Sequence, residues 1–369
     1  MNQLFRWDQT GLFLLALAAG ILPFAVPEVC AAALREGLTL CSGPLLLSLF
    51  PFLVVSRLLV QCPESDLLAM PFRLAAWGIG IRTPCAARVL CIGFLGGFAP
   101  AASAAAQAVR TGQLTAEEAD ALLPACICSG PSFVVLTVGQ SLLGSAELGV
   151  LLFASQITAN YLTAALLNRF AGVRSVKPGS AAPASPAPLR LDEILADAAI
   201  TYCKLCGFIL FFRMLAAGAG ALLPAGAGTL CSILLEVCSG CDLASRTGRW
   251  GSLLCCAALS VQGLSVLLQV RTICPPEMTL RPLYRARMLH LPLSLALFYL
   301  LLPGGEADVF STLPARVLLM RRVPPDCALL VFAVCCMAAC TLRSGIRQVE
   351  QKQMARNAGG CCINSKTLL

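Results

Sequence analysis

Uncharged stretches long enough to cross a bilayer occupy most of this chain. Residues 11–27, 38–56, 89–109, 121–146 and 148–168 carry no charged side chain, and neither do 214–235, 251–270, 288–305 and 327–342. A membrane helix needs roughly 20 mostly apolar residues to cross about 30 Å of hydrocarbon. The runs are rich in Leu, Ala and Gly and show no strand alternation, so helices must satisfy the backbone. These windows predict an all-α, polytopic integral membrane protein with roughly eight to ten membrane-embedded helical segments, broken helices among them. The first window is read as a retained helix rather than a signal peptide. Only Arg6 precedes it, Asp8 offsets that charge, and further apolar runs follow at once. Composition agrees: 58% of residues are hydrophobic and 12% charged, too little polar surface for a water-soluble protein of 369 residues.

The chain divides near its middle. Residues 171–189 (AGVRSVKPGSAAPASPAPL) form a Pro/Ala/Ser/Gly linker unsuited to a helix or a core. It separates a first membrane half, 1–170, from a second, 190–342, and a basic tail, 343–369, follows. Residues 190–203 have apolar positions at helical spacing and predict an amphipathic helix running into the next span. Phe52-Leu53-Val54-Val55-Ser56-Arg57-Leu58-Leu59 and Phe208-Ile209-Leu210-Phe211-Phe212-Arg213-Met214-Leu215 share a faint pattern, an apolar run that meets an arginine and resumes. Two related halves, a common plan in transporters, are expected; two unrelated Leu/Phe-rich helices give the same pattern. Arg343, Arg347, Lys352, Arg356 and Lys366 in the tail, and Arg271, Arg281, Arg285 and Arg287 between two spans, place both segments in the cytoplasm. Residues 306–326 then lie outside, and the linker, with Arg174 and Lys177, suits the cytoplasmic side.

Few residues offer chemistry. Many of the 21 cysteines lie inside apolar windows, where a free thiol behaves as a small hydrophobe. Two CxxC pairs, Cys203 with Cys206 and Cys238 with Cys241, have metal-ligand spacing but sit beside spans, where thiolates are costly. Packing is expected of them, with no metal and no cofactor. His290 is the one histidine, too few for a His-based metal site, and is read as packed or interfacial. GxSxG, HExxH and Walker-type loops are absent from the sequence, so neither an enzyme nor a nucleic-acid partner is expected.

The informative residues are polar groups and helix breakers at membrane depth. Glu236 ends a long apolar run, and a carboxylate in the bilayer usually faces a cavity or a partner; at a span end it would sit in the headgroups. Gln262, Ser265 and Gln269 place amides and a hydroxyl inside one window, fit to hold a polar solute or to bond between helices. Gly97 and Pro100 in one window, and Gly130 and Pro131 in the next, interrupt helices. Broken helices survive in a membrane where they are buried in protein or line a wet cavity, and their half-helix ends offer partial charges to a solute. Close packing of helices through small residues is the competing account.

Several segments, in order, give the chain a resemblance. They are Leu49-Phe50-Pro51-Phe52-Leu53-Val54-Val55-Ser56, Gly93-Phe94, Gly112-Gln113-Leu114-Thr115-Ala116-Glu117-Glu118-Ala119 and Ser129-Gly130-Pro131-Ser132-Phe133. In the second half they are Leu235-Glu236-Val237-Cys238-Ser239-Gly240, Gly263-Leu264-Ser265-Val266-Leu267-Leu268-Gln269-Val270 and the region from Tyr284 to His290. Together they span most of the chain, which resembles the sporulation integral membrane proteins of the YlbJ type with nucleoside-recognition ("Gate") domains. That family's first broken segment reads Gly-Tyr-Pro and then Gly-Ala-Lys. Here Gly97-Phe98-Ala99 and Ala101-Ala102-Ser103 stand instead, with Ser103 at the lysine. The resemblance implies a multi-pass protein of the bacterial cytoplasmic membrane, at the forespore or spore membrane, needed for endospore formation and acting as a gate or transporter.

The leading expectation is therefore a gated path or binding site for a small polar solute, built from Gly97, Pro100, Gly130, Pro131, Glu236, Gln262, Ser265 and Gln269. The partners expected are membrane lipid and that solute. The alternative is a non-transporting scaffold that recruits partners through the basic tail. A membrane-embedded enzyme centred on Glu236 or a CxxC pair is the third reading.

Overall fold

The computed structural model describes residues 9–62, 65–171 and 190–302, and every regular element among them is helical. The linker beyond Ala171, the loop 306–326, the window 327–342 and the basic tail lie outside the described residues.

α1 (Gln9–Ala25) leads to α2 (Pro27–Ser42) and α3 (Pro44–Gln61); the last two each begin on a proline, whose missing N–H is harmless in a first turn. The expected window 38–56 is thus two helices meeting at Gly43, and α3 continues through Arg57. The short α4 (Ser65–Leu68) and α5 (Met70–Gly78) follow. α6 (Pro84–Gly96) and α7 (Phe98–Arg110) are parted only by Gly97. Gly112, at φ +68°, closes α7, and Thr115 and Glu118 then form a capping box that starts α8 (Ala116–Cys126). The segment 112–119 is therefore a tight turn and a helix start. After α8 the chain breaks again and resumes as a π-helix, Ser132–Leu142, before the long α9 (Ala146–Ala171).

The second half begins with α10 (Leu191–Leu222), one helix of 32 residues that takes in Lys204 and Arg213. α11 (Ala225–Leu235) and α12 (Val237–Ser245) are parted by Glu236, and α13 (Gly251–Val261) and α14 (Gly263–Ile273) by Gln262. α15 (Arg281–Leu301) ends the described chain. Two sequence expectations are corrected here. Residues 214–235 are not one span: α10 ends at Leu222 and α11 starts after Pro224. Arg281, Arg285 and Arg287 do not lie in a loop but form the first turns of α15.

Four stretches among the described residues are long and apolar enough to cross a membrane: Pro27–Leu47, Ala146–Ala171, Leu191–Leu222 and Gly248–Ile273. The 13-residue pieces α6 and α7 each rise about 20 Å at 1.5 Å per residue, so neither crosses alone. α7 instead doubles back along α6: a Cβ on Gly93 of α6 would stand 3.2 Å from the Ala101 Cβ of α7.

The packing of the two halves is alike in part. α3 lies on α6 and α7 as α10 lies on α11 and α12, and α9 covers α8 and the π-helix as α15 covers α13. The halves also interlock. α15 packs on α8 and α9 on α13, while α7 meets α14 and α12 meets the π-helix. Close approach is possible because facing surfaces are small: Ala101, Ala102, Ala104, Ala105, Ala106 and Ala108 of α7 are fully buried. Large apolar side chains such as Phe24, Leu74, Phe170 and Leu300 point outward, whereas Gln156, Asn160 and Thr163 of α9 are buried. That inside-out distribution fits helices bathed in lipid, and the chain is an all-α, multi-pass membrane protein.

Candidate functional site

The four helix breaks meet in two crossings. In the first half Gly97 lies against the segment after α8, so closely that a Cβ on Gly97 would sit 2.7 Å from the Gly130 nitrogen and 3.2 Å from the Cys128 carbonyl oxygen. Gly97 also has φ +80° and ψ −164°, a backbone conformation essentially confined to glycine. Pro100 falls in the first turn of α7, where it packs on Gly96, and Pro131 stands at the head of the π-helix. In the second half Gly263 crosses Glu236 in the same manner: its Cβ would sit 3.0 Å from both the Glu236 nitrogen and the Leu235 carbonyl oxygen.

Each break is satisfied differently. Glu236 turns its carboxylate back onto the head of α12, accepting from the Cys238 and Ser239 N–H groups at 2.8 and 2.7 Å and from the Ser239 hydroxyl at 2.8 Å. It is buried, and its negative charge lies at the positive end of a helix dipole. By contrast, α7, the π-helix and α14 have no side-chain cap. Gln262 adopts the left-handed conformation, φ 65°, which is costly for a residue with a Cβ. That geometry directs its amide across the molecule. Nε2 donates to the Leu259 carbonyl at 2.6 Å and to the Ser129 hydroxyl at 3.3 Å, so the second crossing touches the first.

Gln269, two turns along α14, donates through Nε2 to the Ser265 hydroxyl at 3.0 Å. Its Oε1 is buried without a hydrogen-bond partner, and so is that of Gln262. An unpartnered buried carbonyl is expensive, and such groups mark places where water or a ligand belongs.

Two cavities adjoin Gln269. The inner one, about 60 Å³, lies between the crossings and is lined by Phe98, Ser129, Gly130, Glu236, Val266 and Gln269. It has room for a few waters but is too small for a solute, for which pockets of about 300 Å³ or more are usual. The outer one, about 420 Å³, is a vestibule reaching exposed Lys204, with Arg57, Ser103, Gln107, Arg110 and Asp197 among its walls. Arg57 pairs with Asp197 across α3 and α10, and Arg110 donates to the Ile273 carbonyl at 3.4 Å. Three cations against one carboxylate make the vestibule electropositive.

Of the expected residues, Gly130, Glu236 and Gln269 line the inner cavity, while Gly97, Gln262 and Ser265 shape the crossings and the α14 wall behind it. The CxxC pairs lie on different helices, α10 and α12, and no group of three or more metal-ligating side chains occurs among the described residues. His290 is fully packed, its Nε2 3.2 Å from the Gln156 carbonyl oxygen. Sequence reasoning missed the vestibule cations. Arg57 was available as a signal, since a charge follows an apolar run there without ending the helix.

Comparison of the chain with family models, with curated proteins and with solved structures finds no match.

Proposed function

We propose that this protein is a gated membrane path for a small polar solute, seen with its gate shut, and that the solute carries negative charge. The observation that carries this reading is Gln269. Its buried, unpartnered amide oxygen stands where the cationic vestibule and the inner cavity share a wall. A solute gathered by Arg57, Arg110 and Lys204 passes Gln269 and reaches the uncapped heads of α7 and the π-helix, where free N–H groups favour anionic or strongly polar groups. Opening requires the two crossings to part. In this reading, supported by the resemblance to YlbJ-type proteins, the activity belongs to the bacterial cytoplasmic membrane, at the forespore or spore membrane during endospore formation. Where that family carries lysine, this chain has Ser103 in the vestibule wall, and the positive charge comes instead from Arg57, Arg110 and Lys204.

The test is uptake by proteoliposomes of three labelled probes: succinate, inorganic phosphate and uridine. Uptake of at least one anionic probe by wild type is expected, with a loss of tenfold or more in Gln269→Leu. Equal uptake by the variant, or uptake by neither protein, would remove the reading.

A further inference from the structure

We infer that Arg287 is the positioning residue that fastens the two crossings to each other. It sits two turns into α15, is 7% exposed, and has no ion pair among the described residues. A buried cation without a carboxylate needs other compensation. Its guanidinium finds it in one carbonyl from each crossing: Nη2 donates to Ile127 O at 2.5 Å and Nη1 to Ser260 O at 3.3 Å. Ile127 is the last residue of the α8 cap, and Ser260 is in the last turn of α13. Both carbonyls are left over where a helix stops, and both lie at the negative end of a helix dipole. Asn160 of α9 adds a second, longer bond to Ile127 O, at 3.3 Å. The planar fork of arginine is the side chain that can hold two separate acceptors at fixed spacing; a lysine ammonium is a point charge. Gln262 to Ser129 is a second link between the two crossings among the described residues, also at 3.3 Å. Arg287, whose fork holds a carbonyl at each, is therefore the charged tie that couples opening of the break after α8 to opening of the break after α13.

Hydrogen–deuterium exchange on the full chain in lipid nanodiscs tests this directly. In Arg287→Met, exchange should rise at least tenfold at both 127–132 and 260–265, with α10 unchanged. A rise at one break alone, at neither, or throughout α10 overturns the proposal. Should that variant not fold, Arg287→Lys keeps the cation without the fork, and a paired rise of threefold or more is expected; protection equal to wild type at both breaks overturns it. The functional readout rests on the gated-path reading. For whichever of the three probes wild type takes up, Arg287→Lys should lower the maximal rate at least tenfold while the half-saturating concentration stays within twofold. An unchanged maximal rate overturns the role of Arg287. Absence of uptake by wild type sinks the path instead and leaves the exchange result to decide.

Discussion

A methyl group at Gly97 would meet two penalties at once. The backbone there is in a conformation essentially confined to glycine, and the new Cβ would stand 2.7 Å from the Gly130 nitrogen. Gly20 in α1 has nothing within 4 Å of its own Cβ position. Gly97→Ala should therefore destabilise the protein by about 2 kcal/mol or more, and Gly20→Ala should leave it equally or more stable. Thermal unfolding in one detergent, read side by side, checks the pair. At this scale the sequence was legible in kind: Gly and Pro inside apolar windows announced breaks, and Glu236 announced a buried charge. It did not reveal that Gly97 crosses Gly130, or that Glu236 spends its oxygens capping α12. Those facts depend on which segments approach each other, and no residue carries that information locally.

Single helices begin where local chemistry tells them to. Thr115 and Glu118 satisfy each other's backbone N–H groups at 3.1–3.2 Å, and the Glu118 carboxylate also accepts from the Thr83 hydroxyl at 2.6 Å, tying the start of α8 to the start of α6. Thr115→Ala should cost about 1 kcal/mol, and Glu118→Ala more, because it also leaves Thr83 without its acceptor. Chemical denaturation of the two variants gives the ranking. Helix lengths were less legible than helix starts. Windows drawn between charges ended at Arg57 and began after Arg213, yet α3 and α10 run through both arginines. A helix satisfies its own backbone whatever the side chain, and each arginine finds an acid on a neighbouring helix: Arg57 pairs with Asp197, and Arg213 with Glu36 at 2.7 Å. Charge marks the end of an apolar face rather than the end of a helix.

Across the whole molecule, the halves are joined through α15. Besides Arg287, its head is held by Asp120 of α8, which accepts from Thr279 N at 2.8 Å, Thr279 Oγ1 at 2.6 Å and Leu280 N at 3.1 Å. Leu280 is left-handed, φ 57°, and keeps that conformation through this grip. Asp120→Ala removes three charge-assisted bonds that link the halves and should cost about 2–3 kcal/mol, with α15 losing exchange protection first. Exchange confined to α8, with α15 unaffected, would show that the clasp contributes nothing between halves.

Hydropathy and composition determined, without any fold, that this chain is helical and membrane-bound, because an apolar backbone in lipid has no other way to satisfy its hydrogen bonds. Glycine and proline marked the breaks at Gly97 and at Gly130-Pro131, but not those at Glu236 and Gln262, and Pro51, Pro124 and Pro292 lie inside helices that continue. Only the tertiary structure decided that four breaks become two crossings, that Gln269 stands between a cationic vestibule and a small inner cavity, and that Arg287 belongs to the interior rather than to a loop. Periodicity and charge act within a few turns of one helix. Each crossing joins separate helix ends, Gly97 with Gly130 and Glu236 with Gly263, and the bond between the crossings, Gln262 to Ser129, spans 133 positions; such pairings exist only once the helices have packed.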